Sequence, residues 1–219
     1  MKIIEFKDVD ISFKNGKKIF SGKLNFDVNK SQVTLLKGET GTGKSTLLRI
    51  IAGLNSLYDI KTSDGIFINS LECTELERRK VVNYIGQEAE KQFLTEDGLY
   101  ELIFGLENRN ISKNIIFDKY KSIINKFKIS ENIINTKTSL LSGGEKRKLA
   151  LLSSLITDES IFLLDEPLAM LDYANSKRIV DFINMYKEEC SFIIATHEEK
   201  FDFLADNILI IDKGIVKYE

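Results

Sequence analysis

A glycine-rich loop after a short apolar run constrains this chain more than any other segment. Residues 38–46 fit the pattern Gly-x-x-x-x-Gly-Lys-Ser. Residues 33–36, just before the loop, are typical of a buried parallel strand, and residues 46–54 predict a helix. Phosphate-binding loops require this strand–loop–helix context, because the glycines let backbone N–H groups curl around an anion. The segment therefore predicts an α/β fold with a phosphate site.

The same loop indicates what the site binds. Lys44 is placed to reach the β- and γ-phosphates of a nucleotide, and the Ser45 hydroxyl to ligate Mg²⁺. The N-terminus of the following helix adds a positive partial charge. A glycine turn with an incidental lysine is the alternative, and the flanking elements disfavour it. The nucleotide-binding residues predicted from the loop are Gly38, Glu39, Thr40, Gly41, Thr42, Gly43, Lys44, Ser45 and Thr46.

Two carboxylates, Asp165 and Glu166, directly follow an apolar run at residues 161–164. In parallel α/β sheets, ligands bind at the carboxyl ends of the strands. We expect Asp165 to hold Mg²⁺ through water, and Glu166 to act as general base on the attacking water. Taken alone, the pair would fit an exposed strand-to-loop junction equally well, and the glycine-rich loop favours the metal and base roles.

A third segment, residues 142–145, has two compatible interpretations. Ser142 and Glu145 match the Ser-x-x-Glu capping box, in which both side chains bind backbone N–H groups at the start of a helix. A helix with Gly143 and Gly144 in its first turn can also accept an anion such as a γ-phosphate. The next residues, 146–148, are all basic, and we expect them to form a solvated face.

With Leu141, this segment resembles the signature motif of ATP-binding-cassette (ABC) ATPases, usually Leu-Ser-Gly-Gly-Gln. Gln87 is similar to the family's glutamine-loop residue, which contacts Mg²⁺ and senses the membrane partner. His197 is similar to the switch histidine that holds the γ-phosphate. Phe13 lies where the family has an aromatic residue stacked on adenine, although a phenylalanine in a strand also suits the core. The resemblance implies four catalytic residues: Lys44, Gln87, Glu166 and His197.

The resemblance includes three departures from the usual family pattern. Residues 169–172 resemble the aspartate loop, usually Ser-Ala-Leu-Asp, with Ala169 in place of the serine. Tyr173 replaces the proline that often follows. Glu145 replaces the usual glutamine and would add negative charge near a phosphate unless it stays engaged in the capping box. The predicted catalytic positions are all retained.

The resemblance covers the whole chain and implies an α/β fold of the P-loop NTPase (RecA-like) type. A small antiparallel β subdomain and an inserted helical subdomain, approximately residues 87–145, would complete one domain over residues 1–219. In the family, two such subunits close head to tail around two ATP molecules with Mg²⁺. Ser142, Gly143, Gly144 and Glu145 of one subunit would then face the nucleotide of the other. The implied partners are a second ATP-binding subunit, identical or homologous, and a transmembrane subunit docked near Gln87.

A narrower resemblance lies between Gln87 and Asn108. Gln92, Thr95 and residues 103–108 are similar to ATPases of energy-coupling-factor importers for vitamins and for cobalt or nickel ions. The implied function is an ATPase subunit that powers an importer through ATP-driven dimer closure. A soluble ABC ATPase acting on ribosomes or nucleic acid is the alternative. Such proteins usually carry a second cassette or a long coiled coil, and this sequence has neither pattern.

Composition favours a protein that meets the membrane only through a partner. The net charge of −2 gives no support for nucleic-acid binding. No apolar run approaches the roughly 18–20 residues that span a bilayer, and charges interrupt the apolar N-terminus, unlike in a signal peptide. We expect a cytoplasmic protein on the inner face of the cell membrane, with Cys73 and Cys190 reduced.

Elsewhere, β-forming residues predict strands at residues 3–6, 9–13 and 24–28. Residues 71–139 have mainly helical character, with apolar side chains at helical spacing: Ile116, Tyr120, Ile123, Ile124 and Phe127. Strands at 160–164 and 191–195, a helix at 179–186 and a hairpin at 208–218 are expected to complete the chain.

Overall fold

The computed structural model describes residues 1–87, 93–127, 129–157, 159–169, 171–197 and 199–219. The chain divides into two compact units. The first comprises Met1–Gly86, Glu159–Pro167 and Phe182–Glu219, and the second comprises Gln87–Asp158 and Leu168–Asp181. The expected helical part, approximately residues 87–145, lies in the second unit, which also includes residues 146–158 and 168–181.

The strands lie in the first unit. In chain order they are Lys2–Val9 (β1), Ile11–Phe13 (β2), Leu24–Asn29 (β3), Val33–Lys37 (β4), Ile60–Thr62 (β5), Ile66–Ile68 (β6), Leu71–Glu72 (β7), Asn83–Ile85 (β8), Ile161–Asp165 (β9), Ser191–Ala195 (β10), Asn207–Asp212 (β11) and Ile215–Tyr218 (β12). A six-stranded sheet has the order β12-β11-β4-β10-β9-β8, and only β12 runs antiparallel to its neighbour. A four-stranded antiparallel sheet, β3-β1-β6-β7, and a two-stranded one, β2-β5, lie in the same unit.

The helices of the described residues are Lys44–Ile51 (α1), Glu75–Val81 (α2), Gly98–Glu107 (α3), Lys113–Phe127 (α4), Glu131–Ile134 (α5), Gly143–Leu155 (α6) and Tyr173–Tyr186 (α7). Short 3-10 helices cover Asn55–Tyr58, Thr138–Leu140 and Glu199–Leu204. In the part of the chain that the structure describes, no helix combines the length and apolar character needed to span a bilayer.

The centre of the six-stranded sheet sets the positions of the later motifs. Every residue of β9 and β10 is buried, as expected for parallel strands covered on both faces. Ala195 at the end of β10 pairs with Leu36 of β4 on one side and with Asp165 of β9 on the other. The segments that follow these three strands therefore begin along one edge of the sheet.

Several predicted elements have different bounds in the structure. The single strand predicted at residues 9–13 is wrong: Val9 ends β1, and Ile11–Phe13 belongs to another sheet. Asp10 lies between them, and its carboxylate accepts a hydrogen bond from the Ile11 N–H. The mainly helical character predicted for residues 71–139 is wrong at its start, where β7 and β8 form. The helix predicted from residue 46 begins at Lys44 and ends at Ile51.

The second unit has its own apolar core. Side chains from α3, α4, α5, α6 and the residues that flank these helices form it: Leu102, Leu106, Ile116, Ile123, Ile129, Ile133, Ile134, Leu141, Leu149, Leu152 and Ile156. Helix α3 packs against α6 and α4. The helical periodicity predicted for α4 is confirmed, since Ile116 and Ile123 are buried while Tyr120 and Ile124 pack at the edge. The side chain of Phe127 lies outside the described residues.

Candidate nucleotide-binding site

In the loop between β4 and α1, side chains of the loop donate hydrogen bonds to its own backbone carbonyl oxygens. Lys44 Nζ donates hydrogen bonds to the carbonyl oxygens of Gly38, at 2.7 Å, and Glu39, at 2.9 Å. Thr42 Oγ1 donates a further bond of 2.9 Å to the Glu39 carbonyl. The lysine ammonium is therefore held against the loop. Glu39, Thr40 and Gly41 are exposed, whereas Ser45 and Thr46 are half-buried in the first turn of α1.

Two positions of this loop have backbone conformations that favour glycine. Gly38 has a φ of 147°, and a Cβ atom there would lie 2.4 Å from the Ile211 carbonyl oxygen. Gly43 has a φ of 107° and precedes the first residue of α1. In the described part of the chain, no side chain caps this helix and no acidic residue lies in its first turn. Its N-terminal N–H groups thus fit an anion, which the helix dipole also favours.

Two of the three residues predicted to contact Mg²⁺, Ser45 and Asp165, lie together. Ser45 Oγ donates a hydrogen bond of 3.0 Å to Asp165 Oδ1. Asp165 is only 2% exposed, and burial raises the pKa of its carboxyl group. A hydroxyl and a carboxylate are the hard oxygen ligands that Mg²⁺ takes, usually completed by water and substrate phosphates. Among the described residues, no three His, Cys, Asp or Glu side chains form a metal cluster.

The predicted base and the predicted switch histidine form a pair. His197 Nδ1 lies 2.9 Å from Glu166 Oε1. Because a carboxylate only accepts hydrogen bonds, Nδ1 carries the proton in this contact. The Glu166 side chain is 14% exposed and that of His197 is 76% exposed. The backbone N–H of Glu166 donates to the Ala195 carbonyl at 2.8 Å, which ties the acidic turn to β10.

Glu166 has an unusual backbone conformation. Its φ of 49° lies in the left-handed region, which residues other than glycine rarely adopt. Such conformations persist only where the surrounding structure enforces them, and they concentrate at functional sites. The following residue, Pro167, is buried and restricts the turn further. The turn fixes the direction in which the Glu166 carboxylate leaves the end of β9.

The structure adds two residues that the sequence analysis missed. Tyr84, in β8, donates a hydrogen bond of 3.3 Å from its hydroxyl to Asp165 Oδ2. Burial raises the pKa of Tyr84 to about 12, so its hydroxyl keeps its proton near neutral pH. Arg49 of α1 places its positive charge near Tyr84, and its guanidinium carbon lies over the Tyr58 ring, 4.2 Å from the ring centroid. Tyr84 lies in the three-residue strand β8, within the region that the sequence predicted to be mainly helical. A prediction of this strand would have placed Tyr84 beside β9.

The segment at residues 142–145 forms the predicted capping box. The Ser142 N–H and hydroxyl donate to Glu145 Oε2 at 2.9 and 2.7 Å, and the Glu145 N–H donates to Ser142 Oγ at 3.4 Å. The capping interpretation is therefore confirmed. Bonds from the Ser142 hydroxyl and N–H lower the pKa of Glu145. Ser142 and Gly143 are exposed, and Gly144 is half-buried.

Arg147 corrects the expectation of a solvated basic face at residues 146–148. It is only 3% exposed, and its Nη1 donates a hydrogen bond to the Gln87 carbonyl oxygen. Arg147 lies three and four residues before Ala150 and Leu151, which are both buried. Helical periodicity would therefore have placed it on the buried face. The Gln87 side chain is exposed, and Gln92, five residues on, lies outside the described residues.

The contacts of the remaining predicted residues, Phe13 and the aspartate-loop segment, do not by themselves indicate a functional role. Phe13 in β2 is half-buried and packs against the core of the first unit, which suits a core role and leaves part of its ring accessible. In the aspartate-loop segment, the Leu171 N–H bonds the Leu168 carbonyl and the Ser176 N–H bonds that of Asp172. Met170 lies outside the described residues, and Tyr173, the first residue of α7, is 75% exposed.

Taken together, the structure joins some predicted residues directly. In the first unit, Ser45 contacts Asp165, Glu166 contacts His197, and Lys44 contacts its own loop. These residues follow β4, β9 and β10 at the edge where those strands align. Gln87 and residues 142–145 belong to the second unit. The first unit alone thus holds groups suited to bind phosphate and Mg²⁺ and to accept a proton.

The capping box gives a first testable prediction. Glu145→Gln should leave the free energy of unfolding nearly unchanged, because glutamine also serves the box. Glu145→Ala should lower it by about 0.3–1.5 kcal/mol, the usual contribution of a helix cap. Urea denaturation of both variants measures this. Equal losses for the two variants would contradict a capping role.

The lowered pKa of Glu145 predicts the pH dependence of that contribution. The fold favours the ionised carboxylate, so the stabilisation is present above the ordinary glutamate pKa of about 4.3. The part of it that depends on the negative charge is lost as the pH falls through the lowered folded-state pKa. The difference in stability between wild type and Glu145→Ala should therefore shrink below about pH 4. A difference that grows on acidification would contradict this.

Comparison with known proteins agrees with these features. The sequence profile of the ABC transporter family matches residues 22–169. An ABC transporter ATP-binding protein of Sulfurisphaera tokodaii is 30% identical over 227 residues, and the chain spans 47% of its length. The energy-coupling factor transporter ATP-binding protein EcfA1 of Staphylococcus aureus is 27% identical over 222 residues, covering 99% of this chain and 81% of that protein.

Solved structures agree on the fold. The structure of cbiO1 from Clostridium perfringens, part of the ABC transporter complex cbiONQ, aligns with a TM-score of 0.85 and 23% identity, covering 99% of this chain and 87% of that one. The ATP-binding cassette MJ0796, a dimer bound to ADP and Pi, aligns with a TM-score of 0.84 and 21% identity, covering 99% and 98%. These likenesses confirm the α/β P-loop fold. The chain therefore belongs to the ABC transporter family of ATPases.

Proposed function

We propose that this chain binds and hydrolyses ATP as the subunit that powers a membrane transporter. The observation that carries the proposal is the pair of contacts at one sheet edge: Ser45 with Asp165 at 3.0 Å, and Glu166 with His197 at 2.9 Å. The first pair offers oxygen ligands for Mg²⁺, and the second joins a candidate base to a group that can contact phosphate. Membership of the ABC transporter family supports the assignment.

In this proposal, different residues of the first unit bind the nucleotide, hold the metal ion and activate the water. Lys44 and the N–H groups at the start of α1 bind the β- and γ-phosphates, and Phe13 stacks on the adenine. Ser45 and Asp165 would hold Mg²⁺, and the bound ion would neutralise charge on the phosphate oxygens. Glu166 accepts a proton from the attacking water.

His197 would complete this arrangement at the γ-phosphate. Its Nδ1 proton is engaged by Glu166, which fixes how the imidazole ring is turned. The family resemblance assigns the ring a contact with the γ-phosphate, and Gln87 a contact with Mg²⁺. Both residues are exposed, as contact with a substrate requires. We therefore assign His197 and Gln87 to the reacting end of the nucleotide.

A second ATP-binding subunit completes each site in this proposal. Ser142, Gly143 and Gly144 begin α6, and Ser142 and Gly143 are exposed and available to a partner. The solved neighbour MJ0796 is a dimer. We propose that residues 1–219 act as one cassette, with the helical part at approximately 87–145. Two cassettes, identical or homologous, would close around ATP.

We further propose that the transporter is an importer of the energy-coupling-factor type. The supporting observations are the resemblance at residues 87–108 and the named relatives EcfA1 and cbiO1. The chain would lie on the cytoplasmic face of the membrane, attached through a transmembrane subunit near Gln87. Co-purification in detergent with the product of a neighbouring membrane-protein gene tests this. ATPase activity stimulated by RNA or DNA, without such a partner, would favour the nucleic-acid alternative.

The two-chain site predicts a complementation result. A Lys44→Ala chain binds ATP too weakly to fill its own site but still supplies Ser142. A Ser142→Arg chain binds ATP but cannot complete the site of its partner. Each variant alone should be nearly inactive, whereas their mixture should regain ATPase activity, because mixed dimers contain one intact composite site. Wild-type activity should also rise faster than linearly with protein concentration. Two inactive variants that stay inactive when mixed, alongside linear wild-type activity, would contradict the shared site.

A further inference from the structure

Both oxygens of the buried Asp165 carboxylate are bound by hydroxyl groups of the protein. Ser45 Oγ donates to Oδ1 at 3.0 Å, and the Tyr84 hydroxyl donates to Oδ2 at 3.3 Å. A carboxylate only accepts hydrogen bonds, so both hydroxyl groups are the donors here. Asp165 is 2% exposed, which leaves little room for water to compete. The rotation of the carboxylate about its side chain is therefore set from both sides.

The strand pairing explains why Tyr84 reaches this carboxylate. Tyr84 lies in β8 directly opposite Leu163 of the neighbouring β9. Side chains alternate along a strand, so Leu163 and Asp165 project from the same face of β9, and Tyr84 shares it. From there the Tyr84 hydroxyl extends to the next residue on that face, Asp165, at 3.3 Å. The contact thus follows from the register of the sheet.

Arg49 places a positive charge beside the tyrosine. That charge acts on the Tyr84 hydroxyl, and the guanidinium carbon lies 4.2 Å from the centroid of the Tyr58 ring. Stacking on an aromatic face suits the planar guanidinium and restricts its orientation. Arg49 belongs to α1, the same helix whose first turn contains Ser45. The helix that follows the phosphate loop thus brings two residues to the surroundings of Asp165: Ser45 bonds the carboxylate, and Arg49 lies near enough for its charge to act on it.

We propose that Tyr84, supported by Arg49, is a positioning residue that orients Asp165 for Mg²⁺. By engaging Oδ2, its hydroxyl leaves Oδ1 directed to the Ser45 hydroxyl, so that both proposed metal ligands face one point. Tyr84 acts through Asp165 and touches neither nucleotide nor metal. The inference rests on the proposed function, because it assumes that Ser45 and Asp165 hold Mg²⁺. It adds an outer shell of the kind that orients metal-binding carboxylates elsewhere.

The substitution Tyr84→Phe separates positioning from packing. The ring packs against the apolar core of the first unit, and phenylalanine keeps that contact while removing the hydroxyl. The measurement is the affinity for a fluorescent, non-hydrolysable ATP analogue, once with Mg²⁺ and once with EDTA. The ratio of the two affinities reports the metal contribution alone. Loss of an outer-shell partner costs about 10–100-fold in metal affinity, so the ratio should fall about tenfold. Affinity in EDTA should stay at the wild-type value.

Tyr218→Phe is the matched control. Tyr218 lies in the same unit, and its hydroxyl donates a bond of 2.7 Å to the Asp27 carbonyl. Its loss should leave the affinity ratio unchanged, and thermal denaturation without nucleotide shows whether each variant is folded. If Tyr84→Phe does not fold, Arg49→Lys carries the test, because it keeps the charge but loses the planar stack on Tyr58. It should lower the ratio in the same direction.

Two results would overturn the inference while leaving the proposed metal site in place. A folded Tyr84→Phe variant, or in its place Arg49→Lys, could keep the wild-type ratio. Alternatively, the affinity of the Tyr84→Phe variant could fall equally with Mg²⁺ and with EDTA. Tyr84 would then support the structure of the phosphate-binding loop and not the metal site. A wild-type protein that binds the analogue without any gain from Mg²⁺ would instead overturn the proposed metal site, and the inference with it. The wild-type measurement therefore distinguishes the two failures.

Discussion

Replacing Glu166 by glutamine is expected to slow ATP hydrolysis by about 10²–10⁴-fold, the usual cost of losing a general base. Binding should persist, because Lys44, Ser45 and the backbone of the loop hold the nucleotide. The glutamine keeps the shape of the side chain, and its amide oxygen can still accept the bond that His197 Nδ1 now donates at 2.9 Å. Single-turnover hydrolysis and equilibrium binding of labelled ATP measure the two effects separately.

The same variant should also change the assembly state. Unhydrolysed ATP would remain between two subunits, so Glu166→Gln should elute as a dimer with ATP and as a monomer without it, provided the chain pairs with itself. Glu188→Gln makes the same chemical change on the exposed surface after α7 and should behave as wild type. A Glu166→Gln protein that turns over at the wild-type rate would refute the assigned role.

Lys44→Ala is expected to weaken ATP binding by about 10–100-fold or more, the cost of losing a hydrogen bond to a charged group. The change removes the only cation that the loop at residues 38–46 contributes. Equilibrium binding of a labelled ATP analogue measures it. Lys2→Ala is the control, because it removes a lysine whose ion pair with Asp27, at 2.9 Å, lies on the exposed surface. Unchanged affinity in Lys44→Ala would remove the loop from the site.

The fold and the phosphate loop could be predicted from the sequence because their determinants are local. The glycines and lysine of the loop lie between an apolar strand and a helix, and the structure has β4 and α1 in those places. The capping box at Ser142 and Glu145 is likewise a four-residue pattern, and the structure confirms it. In each case the residues that interact are neighbours in sequence, so spacing alone carries the prediction.

The contacts around Asp165 could not be predicted in this way. Tyr84 and Asp165 are 81 residues apart, and they meet only because β8 pairs with β9 in one register. A strand of three residues has too little alternation to show a period of two. Arg147 was misjudged for a related reason: its charge suggested solvent, whereas its helical position beside Ala150 and Leu151 determined its burial.

The bond between Arg147 and the Gln87 carbonyl has a consequence for how this chain tolerates change. The two residues are 60 positions apart in the sequence, and this hydrogen bond joins them within the second unit. Substitutions at exposed positions between them can therefore change the surface of this unit while the bond is kept. Substitution of Arg147 itself is different, because removing its buried guanidinium would take away the donor that binds the Gln87 carbonyl oxygen. Position 147 should therefore tolerate substitution less well than the exposed positions of α3, α4 and α5, which lie between Gln87 and Arg147 in the sequence.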